Sequence, residues 1–162
     1  MSAATLCLWF DRAVAGGAEA AAAFYVETFA DRAVGAVHRA PGDYPDGQTG
    51  DVLSVAFTLL GLPCFGLNGG DHFQHTPAIS FQVATDTQAE TDRLWAAITR
   101  DGGAESRCGW CKDRWGISWQ ITPRALTRGM ADPDAGVRAR VFKAMMTMRK
   151  IDIAAIEAAA KG

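Results

Sequence analysis

The pair of cysteines in the segment CGWC has the spacing of a metal or redox site. Cys108 and Cys111 form a C-x-x-C motif, and two further cysteines, Cys7 and Cys64, lie elsewhere in the chain. A zinc site of four thiolates normally contains two such pairs, whereas Cys7 and Cys64 fall in separate strand-like segments. A redox thiol would need a helix N-terminus after the motif, but a charged turn and a strand-like run follow. We therefore expect structural, reduced cysteines.

The second candidate for chemistry is the pair of histidines in HFQH. His72 and His75 lie in a loop-like segment without the helix and the carboxylate that complete an H-E-x-x-H zinc site. We expect both to be surface histidines at the rim of a site. One alternative stays open, in which His72 binds a metal together with a more distant carboxylate such as Glu27 or Glu105.

Composition narrows the classes of function. The chain has 162 residues, of which 49% are hydrophobic, so it can bury a sizeable core. A net charge of -2 gives no general attraction to nucleic acid or to anionic lipid. The apolar stretch from Val55 to Leu67 contains Gly61 and Pro63 and is too short to cross a bilayer, and the N-terminus lacks the layout of a signal peptide. We expect a soluble cytoplasmic protein that binds neither nucleic acid nor membrane.

The elements that must position the candidate residues follow one order twice. The first half reads as a strand, a helix and three strands, in the segments TLCLWFD, GGAEAAAAFYVETFAD, RAVGAVHRA, VLSVAFTLLG and LPCFGLN. The second half reads as a strand in AISFQVAT, a helix opened by a capping box of Thr87 and Glu90, two short segments near 105–112, and a last strand in ISWQIT. Both halves have the order βαβββ.

A helical tail follows the second half. Asp132 is its predicted N-cap and Pro133 its first helical residue, and a second short helix is predicted from Asp152 to Ala160. The longer helix carries an apolar stripe of Val137, Val141, Met145 and Met148. This stripe can pack on the same domain or form a two-fold contact in a dimer, and the sequence leaves both alternatives open.

The chain closely resembles the PhnB-like proteins, which are often labelled 3-demethylubiquinone-9 3-methyltransferase-like. They belong to the vicinal oxygen chelate superfamily of glyoxalase I, bleomycin-resistance proteins and extradiol dioxygenases. The matching segments are CLWFD, FYVETF, LNGGDHF, ISFQV, CGWCKDRWGISWQITP and ADPD with the helix to KIDIAAIE. The resemblance implies an α+β fold in which two βαβββ modules form an open, cup-shaped mixed sheet around a ligand cavity. It also implies a C-terminal helical extension and a homodimer.

The resemblance implies one domain over 1–162, with a first module over about 1–70, a second over about 76–123, and helices over about 124–162. In metal-dependent members the ligands come from inward strand positions, which correspond here to Ala78, Gly66 and Gln120. A single neutral amide does not offset the dehydration of a divalent ion, so we expect no metal and no cofactor. Methyl transfer is not expected either, because LNGGDHF lacks the following helix that a nucleotide-like cofactor needs.

The inside of the predicted cup is polar. Period-two alternation places Ser80 and Gln82 of one strand on the same face as Ser118 and Gln120 of another, and it suggests an inward Cys64, Gly66 and Asn68. Aromatic residues are expected at the rim. The predicted ligand-binding residues are Trp9, Asn68, His72, Phe73, Ser80, Gln82, Trp110, Trp115, Ser118 and Gln120.

These features favour a metal-poor protein that binds a small organic molecule. The first alternative is a divalent-metal-dependent lyase or dioxygenase of the glyoxalase type, and a second is an oligomeric scaffold whose tail carries the function. No serine, cysteine or lysine is accompanied by a base and an orienting carboxylate, so we assign no catalytic residue.

Overall fold

Each half of the chain folds as a strand, a helix and three further strands. The computed structural model describes residues 4–30 and 33–162. The chain divides into two units, 1–75 and 76–162. The first unit contains β1 (Leu6–Phe10), α1 (Gly17–Phe29), β2 (Val37–Arg39), β3 (Val52–Leu59) and β4 (Leu62–Asn68). The second contains β5 (Ser80–Thr85), α2 (Gln88–Thr99), β6 (Ala104–Glu105), β7 (Trp110–Lys112) and β8 (Ser118–Pro123). The predicted repetition of βαβββ is confirmed.

The two sheets have the same topology. Their strand orders are β1-β4-β3-β2 and β5-β8-β7-β6. In each sheet the first strand of the module pairs in parallel with the last, and the other pairs are antiparallel. This is the mixed α+β arrangement that the resemblance implies. The predicted strand in 32–40 is shortened to β2, and residue 32 lies outside the described residues.

One face of the first sheet packs against α1. Tyr25 of this helix is fully buried and lies 5.9 Å from the ring of Phe57 in β3. Gly66 of β4 leaves room for α1, since a Cβ there would lie 2.8 Å from the Cβ of Ala18. The opposite face of this sheet carries Cys7, which is exposed, and the half-buried Phe65 opposite it.

In the second unit, a buried carboxylate determines how the chain enters β8. Asp113 is 1% exposed, and its Oδ1 accepts hydrogen bonds from the backbone N–H groups of Trp115 and Ile117, at 3.0 Å each. Its Oδ2 accepts a bond of 2.9 Å from Nε1 of Trp119. The carboxylate of Asp113 therefore binds both the turn between β7 and β8 and the indole of Trp119. It satisfies donors that would otherwise be buried without partners.

The helical tail contains α3 (Arg124–Met130), α4 (Ala135–Met146) and α5 (Ile153–Lys161). The predicted N-cap of α4 was wrong by two residues. The carboxylate of Asp134 accepts from the N–H of Gly136 at 2.7 Å and begins the helix, whereas Asp132 accepts from the N–H of Asp134 in the turn before it. The predicted start of α5 is confirmed, because Asp152 caps it.

The apolar stripe of α4 packs within the second unit. Val141 is fully buried in a cluster with Leu126, Ile151 and Ile156, and Val137, Met145 and Met148 pack against this cluster. Of the two alternatives for the stripe, packing on the same domain is confirmed. On the outer side of α4, Phe142 and Met146 are both 48% exposed.

The tail is also joined to the CGWC segment through the backbone. The N–H of Cys108 donates to the carbonyl of Met148 at 2.9 Å, and the N–H of Gly109 donates to the carbonyl of Arg149 at 2.7 Å. Gln88 of α2 holds the next residues, since its amide accepts from the N–H of Ile153 at 2.9 Å. Among the described residues, no helix combines the length and the apolar character that a membrane crossing requires.

We predict that Asp113→Ala lowers the free energy of unfolding by about 3 kcal/mol, because the donors of the turn and of Trp119 remain buried without their acceptor. Denaturant titration followed by circular dichroism measures the change. Asp86→Ala is the control, since Asp86 forms an exposed ion pair with Arg124 and its loss should cost less than about 1 kcal/mol. Equal losses in the two variants would contradict the role of Asp113.

Candidate functional site

The face of the second sheet that is turned away from α2 carries the predicted polar residues. Phe81, Val83, Trp119 and Ile121 are buried, and they alternate along β5 and β8 with polar residues. Ser118 is also buried, at 6% exposure, whereas Ser80 and Gln120 are half-buried and Gln82 is exposed. Ser80 pairs with Ser118 across the two parallel strands, and Gln82 pairs with Gln120. Partners at one register position project to the same side of a sheet. The predicted common face of these four residues is therefore confirmed, and we call it the polar face.

The side chains of the polar face are joined to one another. Nε2 of Gln120 donates to Oγ of Ser80 at 2.9 Å, and Nε2 of Gln82 donates to Oε1 of Gln120 at 3.3 Å. Gln82 is exposed and Gln120 is half-buried. The chain of bonds leaves the carbonyl oxygen of Gln82 and a second N–H of each amide available for further hydrogen bonds, since a primary amide has two donors and one acceptor oxygen.

The third strand of this sheet adds an aromatic ring and a charge to the polar face. In the antiparallel pairing of β7 with β8, Trp110 lies opposite Gln120 and Lys112 lies opposite Ser118. Trp110 is half-buried and Lys112 is exposed. Trp110 was among the predicted ligand-binding residues, whereas Lys112 was not. Lys112 could have been found from the alternation along β7. Because Cys111 between them is buried, Trp110 and Lys112 point to the same, opposite side of the strand.

Trp115 does not lie where the sequence analysis placed it. It was predicted at an aromatic rim, but the residue is only 9% exposed in the turn that Asp113 anchors. The guanidinium of Arg114 stacks over its indole, 5.3 Å from the ring centroid. Trp115 is therefore a structural residue of the second unit.

In the first unit, three of the predicted residues lie together, because Trp9 of β1 packs against the loop that carries His72 and Phe73. Trp9 and Phe73 form an edge-to-face pair with ring centroids 5.0 Å apart. Nε1 of Trp9 donates to the carbonyl of Gly70 at 2.8 Å, which fixes the loop that carries His72 and Phe73. Phe73 is 67% exposed, so this aromatic pair presents an apolar edge to solvent.

His72 has a carboxylate partner that the sequence analysis did not identify. Its Nε2 lies 3.1 Å from Oδ2 of Asp46, a residue of the loop between β2 and β3. Glu105, which was considered as a partner, accepts a hydrogen bond of 2.8 Å from Nε1 of Trp95 and pairs with Arg149. The hydrogen bond from Trp95 is the main cause that lowers the pKa of Glu105.

The face assigned to part of β4 was wrong. Cys64, Gly66 and Asn68 are buried on the side of α1, and the other side of β4 presents Phe65 and Leu67. Alternation along a strand separates two sets of residues but does not identify which set faces the helix. The position that corresponds to a superfamily metal ligand in this strand, Gly66, therefore adjoins α1. Ala78 lies in a turn before β5 rather than within the strand.

Asn68 joins three elements of the first unit. Its Oδ1 accepts from the N–H of Ala18 at 2.9 Å, and its Nδ2 donates to the carbonyl of Val52 at 3.0 Å. The side chain is 1% exposed. Gly17 makes the approach to α1 possible, since a Cβ at this position would lie 2.6 Å from Oδ1 of Asn68. Both ends of the amide thus stabilise the start of the helix and the edge of β3.

The two cysteines of CGWC lie in different environments. Cys111 is buried opposite Trp119, and desolvation, followed by the charges of Asp113 and Glu105, raises the pKa of its thiol to about 12. The thiol of Cys108 contacts the sulfur of Met146 at 3.7 Å. All four cysteines are free. A thiol with so high a pKa is a poor nucleophile at neutral pH, which agrees with the structural interpretation.

We predict that iodoacetamide at pH 8 modifies Cys7 in the folded protein and leaves Cys111 unmodified. A pKa near 12 leaves about one thiolate in ten thousand at this pH, and Cys7 is exposed although partial burial raises its pKa as well. Mass spectrometry of the digested protein measures both sites, with the denatured protein as control. Modification of Cys111 at the denatured rate would contradict the prediction.

We predict that Asn68→Ala lowers the free energy of unfolding by about 2 kcal/mol, since the N–H of Ala18 and the carbonyl of Val52 lose their buried partner. Denaturant titration measures the change. Gln74→Ala is the control, because this residue is exposed in the loop after β4 and its removal should leave stability nearly unchanged. An Asn68→Ala protein as stable as the control would exclude the structural role.

Comparison with known proteins gives one family match and several similar solved structures. Residues 2–122 match the family model described as 3-demethylubiquinone-9 3-methyltransferase. The chain is similar to a PhnB protein from Bacillus cereus, with 27% identity and a TM-score of 0.62 over 75% of this chain and 99% of that one. It is also similar in fold to protein PA1353 from Pseudomonas aeruginosa, with 17% identity and a TM-score of 0.57 over 76% and 98% of the two chains. No curated protein gives a significant match.

Proposed function

The chain belongs to the 3-demethylubiquinone-9 3-methyltransferase family, which includes PhnB proteins, and we propose that it binds a small organic molecule on the polar face. The observation that carries the proposal is the connected set of Ser80, Gln82 and Gln120 on the side of the sheet away from α2. The bond between the two glutamines, at 3.3 Å, is long enough to be exchanged for a bond to a ligand.

The residues of β7 define the class of ligand that we propose. The indole of Trp110 lies beside Gln120 and offers a surface for a planar or apolar group. Lys112 on the same face offers a positive charge for a carboxylate or another anionic group. A small, partly planar organic acid would use the amides, the ring and the ammonium group together.

Binding is proposed without a catalytic step. The described strand residues of the polar face contain neither a carboxylate nor an imidazole, so no general base adjoins the hydroxyl of Ser80. The family description refers to methyl transfer. A nucleotide-like cofactor site needs a helix directly after its glycine-rich turn. Residues 71–79, which follow Gly69 and Gly70, contain no helix, and this supports ligand binding rather than methyl transfer.

Two expectations remain proposals beside this one. The chain would form a homodimer, and it would act in the cytoplasm. The exposed Phe142 and Met146 on α4 support a surface for a second copy of the chain, because large apolar side chains side by side favour burial.

We predict that a thermal-shift screen with a panel of small organic acids finds a compound that raises the melting temperature of the wild-type protein. A ligand that binds only the folded state stabilises the protein, and the stabilisation increases with the logarithm of the ratio of ligand concentration to Kd. For such a compound, Gln120→Ala should raise Kd about tenfold through the loss of hydrogen bonds. Calorimetric titration measures Kd in both proteins.

Gln48→Ala is the matched control for this experiment, since Gln48 is an exposed glutamine outside the polar face. It should bind the compound with the wild-type Kd. A compound whose Kd is unchanged in both Gln120→Ala and Gln82→Ala would bind elsewhere, and the proposal for the polar face would then be wrong.

A further inference from the structure

We propose that Asp46, Asp71 and His72 form a binding site for one divalent cation. Each of the three side chains offers a ligand atom, and these atoms lie within 4.8 Å of one another. Asp46 comes from the loop before β3, and the other two come from the loop after β4. The site is separate from the polar face and from the strand positions that hold a metal in the superfamily.

A cavity with an excess of negative charge adjoins this cluster. It has a volume of about 290 Å³ and is lined by Asp11, Arg12, Ala13, Asp46, Gly70 and Asp71. The guanidinium of Arg12 is engaged elsewhere, because Nη1 pairs with Asp51 at 2.8 Å and Nη2 donates to the backbone carbonyl of Asp46 at 3.1 Å. The lining therefore contains three carboxylates, and its one cationic side chain, Arg12, is already paired with Asp51. The remaining negative charge favours the binding of a further cation.

The two loops are held together by the close fit of Gly70 against Asp46 and by hydrogen bonds to backbone groups. Gly70 has φ +85°, and a Cβ at this position would overlap the carboxyl group of Asp46, so only glycine permits the approach. The indole of Trp9 covers Gly69 in the same way, and its Nε1 bonds the carbonyl of Gly70. Two backbone bonds between Tyr44 and Gly47, of 3.0 and 3.1 Å, fix the turn that carries Asp46.

The donor set indicates the class of cation. One imidazole nitrogen and two carboxylates suit a borderline divalent ion such as Zn²⁺, Co²⁺ or Mn²⁺. Two ligands about 2.1 Å from a tetrahedral ion lie about 3.4 Å apart, close to the 3.1 Å between His72 Nε2 and Asp46 Oδ2. Asp71 and His72 are exposed and can adjust to the ion by rotation of their side chains. Three protein ligands leave a coordination position for water or for a small molecule.

The test is a titration of the untagged protein with Co²⁺, followed by visible absorption, and with Zn²⁺, followed by calorimetry. We expect one ion per chain, and His72→Ala should raise Kd at least tenfold. His38→Ala is the matched control, since His38 is an exposed histidine on β2 outside the cluster, and it should keep the wild-type Kd. Binding without saturation at one ion, or an equal Kd in the two histidine variants, would overturn the proposal.

Two further variants separate loss of a ligand from loss of structure. Asp71→Asn changes an exposed carboxylate and should weaken binding while the melting temperature without metal stays constant. Wild-type affinity in Asp71→Asn would remove this residue from the site and overturn the three-ligand proposal. Gln120→Ala should leave the affinity for Co²⁺ unchanged, so the outcome is independent of the function proposed for the polar face.

Discussion

The buried carboxylate of Asp113 is the constraint on which the second sheet depends. It binds two backbone N–H groups of the turn and the indole N–H of Trp119, and so determines which residue of β8 first points into the core. Because side chains alternate along a strand, the inward position of Trp119 directs Ser118 and Gln120 to the opposite side. The polar face is thus a consequence of one charge that is buried and satisfied a few residues earlier in the chain.

The two modules share a topology but differ in the surface they present. In the first sheet the side away from α1 carries Cys7, Phe65 and Leu67, whereas in the second the corresponding side carries serines, glutamines and a lysine. Polar groups of the first unit gather instead in the loops beyond the strand ends, around Asp46 and His72. The two modules therefore share a topology, but polar side chains lie on the loops of the first module and on the sheet face of the second.

The sequence predicts those features that depend on local periodicity. Both βαβββ orders, the N-cap Thr87 and the alternation in β8 follow from neighbouring residues, and the structure confirms them. Errors arise where the decisive partner is distant. The side taken by Asn68 depends on α1, 50 residues earlier in the chain, and the carboxylate beside His72 comes from a loop whose composition indicates only a turn. The start of α4 was misplaced because Asp132 and Asp134, which are separated by one proline, can each cap a helix.

Two backbone hydrogen bonds connect the CGWC segment to the helical tail. Cys108 and Gly109 hold the chain at Met148 and Arg149, and the residue that follows them is Trp110 at the edge of the polar face. The order of the last helices and the position of the Trp110 backbone are therefore coupled through these two hydrogen bonds.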